Sequence, residues 1–105
     1  MEIDQGKVSV ISRFLEESFI GCSVYDRQDA DRDAQFFRIV NETSGKVVHR
    51  VFVSRAFLDD HGAEYIIPAL EELAFLVCLR LAEGRPVIVK SQVIEIEKSV
   101  GRDGC

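Results

Sequence analysis

The chain has 105 residues, which reads as one domain able to bury a single core but not two. It is 47% hydrophobic and 30% charged with seven Gly and two Pro, a globular composition that requires no long disordered stretch. Its formal net charge of -5 argues mildly against nucleic acid as a partner, because phosphate-binding domains carry a basic excess; a local basic face stays compatible with that total.

In chain order, Asp4 is placed to cap a first helix running to about Ile20. Val8, Ile11, Phe14, Leu15 and Phe19 fall on one of its faces, Ser9, Ser12, Arg13, Glu16 and Glu17 on the other, and Gly21 can end it. Residues 22–25 alternate weakly, as a short strand would, and 26–33 read as a solvated acidic loop. Residues 36–40 and 47–53 are rich in β-branched and aromatic side chains around a Ser44-Gly45 turn, the pattern of a hairpin. Residues 54–61 form a connection in which Phe57 and Leu58 are expected to point inward.

Residues 68–83 predict a long apolar helix, with a short helical turn over 63–67 before it and Pro68 in its first turn or at a kink. At roughly 100° per residue, Leu70, Leu73, Ala74, Val77, Cys78 and Leu81 form one wide stripe, enough to seat the helix on a sheet. Phe75, Leu76 and Leu79 lie opposite, interleaved with Glu71, Glu72 and Glu83. Such a surplus fits a homodimer interface of Phe75, Leu76 and Leu79 rimmed by Glu72 and Glu83, since most soluble oligomers are symmetric homodimers. The competing reading is that Pro68 breaks the helix, shifts the phase and sends every apolar residue into one core. Gly84 and Pro86 close the helix, and a last strand runs from Val87 through Ile96. The domain spans 1–100, and 101–105 is expected to fray. The fold class is α+β: a small antiparallel sheet, hairpin plus C-terminal strand, packed with the N-terminal amphipathic helix and the long apolar helix.

No motif supplies chemistry, so no catalytic residue, cofactor or metal is assigned. Asp29, Asp31 and Asp33 begin a calcium-loop spacing, but Ala34 and Val40 stand where its Gly and bidentate Glu belong. Asp59, Asp60 and His61 would be the core of a metal-dependent hydrolase, a distant third reading with no second His/Asp cluster behind it. No Gly-rich stretch matches a phosphate cradle, and no serine sits in a nucleophile-elbow setting. Cys22, Cys78 and Cys105 offer no Cys-x-x-Cys pair, the N-terminus lacks the regions of a secretion signal, and the longest apolar run, 73–79, is too short to span a bilayer. Cytoplasmic is the default compartment.

The hairpin carries the main alternative. Period-two alternation puts Phe36, Arg38 and Val40 on one side of its first strand and Val48, Arg50 and Phe52 on one side of its second. If these sides coincide, Phe36, Arg38, Arg50 and Phe52 share a surface with Arg55 and Lys90 at its edges, a pattern suited to stacking single-stranded bases. It equally suits phenylalanines buried while arginine stems snorkel outward. Acidic charge and the apolar helix make a homodimer with a protein partner the leading expectation, ahead of nucleic acid.

From 47 to 94 the chain also resembles small bacterial domains of unknown function. The likeness rests on Val53-Ser54-Arg55, on Phe57-Leu58-Asp59-Asp60-His61-Gly62 and on Val87-Ile88-Val89-Lys90-Ser91. It implies a stand-alone α+β domain from a bacterium or its mobile elements, and transfers no site residue, cofactor or partner.

Overall fold

The computed structural model describes residues 3–97. Within them the chain is α+β, with four helices and a five-stranded mixed sheet. The order is α1 (Gln5–Ser18), β1 (Cys22–Asp29), β2 (Ala34–Asn41), β3 (Val47–Ser54), α2 (Arg55–Asp60), α3 (Ala63–Glu72), α4 (Phe75–Ala82), β4 (Pro86–Val89) and β5 (Ile94–Ile96).

Local chemistry sets the first elements. The Asp4 carboxylate accepts the Gly6 N–H at 2.8 Å and caps α1, whose Val8, Ile11 and Leu15 are buried as the apolar spacing requires. Gly21, at φ +85°, turns the chain into β1, and β1, β2 and β3 then form an antiparallel meander. The acidic loop expected over 26–33 is mostly strand: β1 continues to Asp29 and only 30–33 turn. Tyr25, Asp26, Arg27 and Gln28 are all exposed because β1 is the sheet's outer strand, so polarity and strand geometry coexist.

The sheet is not antiparallel throughout. After β3 the chain crosses through α2, α3 and α4 and returns in β4, which pairs with β3 in parallel. The single last strand expected from the sequence is two: β4 and β5 pair antiparallel across a turn closed by Lys90 N–H donating to Val93 O at 2.8 Å. The connection over 54–61 is α2, capped by Ser54 Oγ accepting Phe57 N–H at 3.1 Å, with Phe57 and Leu58 buried as expected. The expected fraying of 101–105 lies outside the described residues.

The long apolar helix is broken, and not at Pro68, which sits inside α3. Leu73 ends α3, Ala74 adopts the left-handed conformation at φ 56°, ψ 44°, and α4 starts at Phe75. On one straight helix Leu70 and Leu79 would lie about 180° apart. The break rephases the chain so that both face the same core. That corrects the proposed interface: Phe75 is 1% exposed and Leu79 0%, covered by this chain alone. Of the residues assigned to the core stripe, Leu70 is buried as expected, whereas Val77 at 48% and Leu81 at 63% are exposed.

One face of the sheet holds the core. Phe37 and Ile39 of β2, Val51 and Val53 of β3, and Val87 and Val89 of β4 are buried with Ile11, Leu15, Phe57, Ile66, Leu70, Phe75 and Leu79 from the helices. The helices thus cover one side, and the opposite face of the sheet carries no layer of the described chain.

Candidate functional site

Register places two rows of side chains across the uncovered face. One runs Tyr25, Arg38, Arg50, Pro86, and is continued by Glu97, whose N–H donates to Pro86 O at 2.8 Å. The next runs Arg27, Phe36, Phe52, Ile88, Glu95. Strand alternation alone produces this arrangement, because each partner of the core residues Phe37, Val51 and Val87 has its neighbours on the other side.

Guanidinium groups sit over rings within it. Arg38 lies 5.1 Å from the Tyr25 ring centre, Arg27 5.0 Å from Phe36 and Arg32, from the β1–β2 turn, 4.2 Å from Phe52. Phe36 and Phe52 pack on each other at 4.7 Å between centroids. Each cation–ring contact is worth about 0.5–1 kcal/mol at an exposed site, so the lattice holds its arginines loosely in place. Tyr25, Asp26, Arg27, Phe36 and Arg38 line a small dent of about 100 Å³ in this face.

Charge is graded across the rows. At the β5 end the carboxylates are matched, Glu95 with Lys90 and Glu97 with Arg32, each at 3.1 Å. At the β1–β3 end, neither Arg27 nor Arg38 pairs with a carboxylate among the described residues, and Arg50 Nη1 donates to Gly84 O at 2.8 Å. β2 and β3 contain no Asp or Glu, whereas Glu16, Glu17, Asp59, Asp60, Glu64, Glu71, Glu72 and Glu83 lie on or beside the helices. The arginines of β1–β3 therefore cluster in the middle of this face, with Asp29, Glu42, Glu95 and Glu97 at its borders.

Of the residues proposed for that face, Phe36, Arg38, Arg50 and Phe52 come together as the alternation requires. Arg55 begins α2 and its Nε donates to Asp33 at 2.7 Å; Lys90 follows β4 and pairs with Glu95. Phe52 is only 8% exposed, so its ring offers no open stacking surface. Tyr25, at 52%, does. Tyr25 and Arg27 join the face because β1 runs on to Asp29, for which the alternation of Val24 and Asp26 with Tyr25 and Arg27 is the signal in the sequence; Arg32, in the turn, has no such signal. No protein-family model, curated protein or solved structure gives a match to this chain.

The other candidate sets disperse. Asp59 is exposed, Asp60 accepts a hydrogen bond from Ser91 Oγ, and His61 Nδ1 bonds Phe57 O at 2.8 Å with its ring 4.4 Å from that of Phe57. Since a carbonyl only accepts, His61 carries its proton on Nδ1 there. Among the described residues no three His, Cys, Asp or Glu side chains are grouped to hold a metal ion. Asp29 Oδ1 accepts Arg32 N–H at 3.2 Å and Asp33 pairs with Arg55, so the three aspartates of the turn do not converge. Asp60, His61, Tyr65, Pro68, Glu71 and Glu72 line an open cleft of about 640 Å³ beside α3; Glu72 is exposed there, Leu76 is half-buried, and Glu83 is exposed beyond the end of α4.

His49 lies on the core side, opposite Ile39, with its ring 4.9 Å from that of Phe19. Burial pushes its pKa below the ordinary 6.5, and its Nδ1 is buried without a hydrogen-bond partner.

Proposed function

We propose that the protein binds single-stranded nucleic acid on the uncovered sheet face, with Arg27, Arg38 and Arg50 meeting phosphates and Tyr25 stacking a base. The observation that carries this reading is the alternation of guanidinium and ring across three adjacent strands, with Arg27 and Arg38 unmatched by any carboxylate of the described chain. Aromatic faces take any base, and unmatched arginines release counterions from the backbone, so binding would be sequence-tolerant and salt-sensitive. An open sheet face with exposed Tyr25 suits a splayed strand better than a duplex, whose bases are already stacked.

Fluorescence anisotropy with a labelled single strand at low salt tests it. Arg38→Ala is expected to weaken binding several-fold and to flatten the salt dependence by about one phosphate contact. A wild-type protein that leaves the strand free at low salt refutes the proposal.

A second reading keeps the homodimer but moves it. Val77 and Leu81, one turn apart and exposed on α4, are the apolar pair that a second copy would cover. Sedimentation of wild type and Leu81→Glu decides it: a monomeric wild type at high micromolar concentration removes the dimer. The free thiols Cys22 and Cys78 suit a reducing cytoplasmic setting for either role.

A further inference from the structure

We infer that Arg32 is a strap across the nucleic-acid face, holding Phe52 shut until a stacking base displaces the guanidinium. The inference rests on the binding reading above and adds a restraint to that same site.

Arg32 belongs to the β1–β2 turn, yet its guanidinium lies over β3, where the side chain of Glu97 meets it from the β5 side. Its guanidinium lies 4.2 Å from the Phe52 ring centre, and Nη2 meets Glu97 Oε2 at 3.1 Å, just beyond β5. The base of the turn is tied at both sides. Asp29 Oδ1 accepts the Arg32 N–H at 3.2 Å, and Asp33 accepts both the Arg55 side chain at 2.7 Å and, through its carbonyl, the Arg55 N–H at 3.0 Å. The backbone is thus held while the tip rests on two weak contacts, one cation–ring and one ion pair with 40% and 33% of its side chains exposed.

Phe52 stands in the middle of the face and is nearly inaccessible. Phe36 covers one side of it, and the Arg32 guanidinium lies over it. A surface ion pair is weak and is screened by salt, so it holds the guanidinium only lightly. A base that comes to lie on Phe52 must displace the guanidinium from that ring, and the partly exposed pair with Glu97 is what holds it there. When the arginine leaves, the Phe52 ring becomes a second stacking surface beside Tyr25.

This predicts an effect opposite in sign to simple charge counting. Anisotropy with a labelled oligothymidylate would show Arg32→Ala binding about threefold or more tighter than wild type, because an opened ring gains a stacked base, while Arg38→Ala binds several-fold weaker. Thermal melting confirms that both variants fold. In the ligand-free wild type, nuclear Overhauser contacts between the Arg32 side chain and the Phe52 ring should be present and fade at high salt. If Arg32→Ala weakens binding as Arg38→Ala does, Arg32 is a phosphate ligand like the others and the strap is wrong, although the binding site stands. Missing Arg32–Phe52 contacts in the free protein overturn the strap whatever the strand does. If those contacts are present but neither wild type nor Arg32→Ala binds any strand, the binding reading itself fails and the strap restrains nothing.

Discussion

Truncating Leu79 to alanine removes a side chain with no exposed surface from the seam between α4 and the sheet. Burying a leucine contributes about 1.5–3 kcal/mol, and the void left behind adds to the loss. We expect Leu79→Ala to destabilise the fold by about 3 kcal/mol, within the range of buried Leu→Ala changes. For a chain of this size that lowers Tm by about 12–24 °C. Leu81→Ala, two residues on and mostly exposed, should cost under about 0.5 kcal/mol. Urea unfolding followed by circular dichroism gives both values, and the m-value should stay constant if only the native packing has changed. Equal losses at the two positions, or a larger loss at Leu81, would show that α4 sits in the opposite phase and that Ala74 does not break the helix.

Two other outcomes follow from particular residues. Ala74→Gly should stabilise the protein by up to about 1 kcal/mol, because the left-handed φ of 56° is costly for alanine and free for glycine; a loss of stability in the same urea assay contradicts the rephasing at that residue. His49 titrates below 6.5 in the folded state, so as pH falls past 6.5 the unfolded chain takes up a proton that the folded chain refuses. Its contribution is therefore complete above 6.5 and declines as the solution is acidified towards the folded pKa. His49→Phe should remove that part of the slope in stability against pH; superimposable profiles for variant and wild type reject it.

The readable parts of the fold were those where one local rule decides. Asp4 and the spacing of Val8, Ile11 and Leu15 specify α1 through a cap and a period, and Phe36 to Phe52 specify β2 and β3 through alternation around Ser44-Gly45. The break at Ala74 had no such marker. Alanine is the best helix former, its neighbours are apolar, and the residue that does break helices, Pro68, is absorbed within α3. What forces the break is tertiary: Leu70 and Leu79 must both reach one core. Strand β1 was cut short for a related reason, since Asp26, Gln28 and Asp29 look like loop when their neighbours in space are unknown. Half of the site was legible for the same reason as the hairpin. Arg32 was not, because a turn residue acquires its meaning only from what lies across the sheet.

The two outer strands of the sheet differ from its middle. β1 displays Asp26, Arg27 and Asp29 along its open border, and β5 is only three residues long. Charge at one margin and brevity at the other make both poor templates for an added strand, whether from a second copy or from a partly unfolded one. The broad surface between them can therefore stay bare of any covering layer without the sheet extending into fibrils.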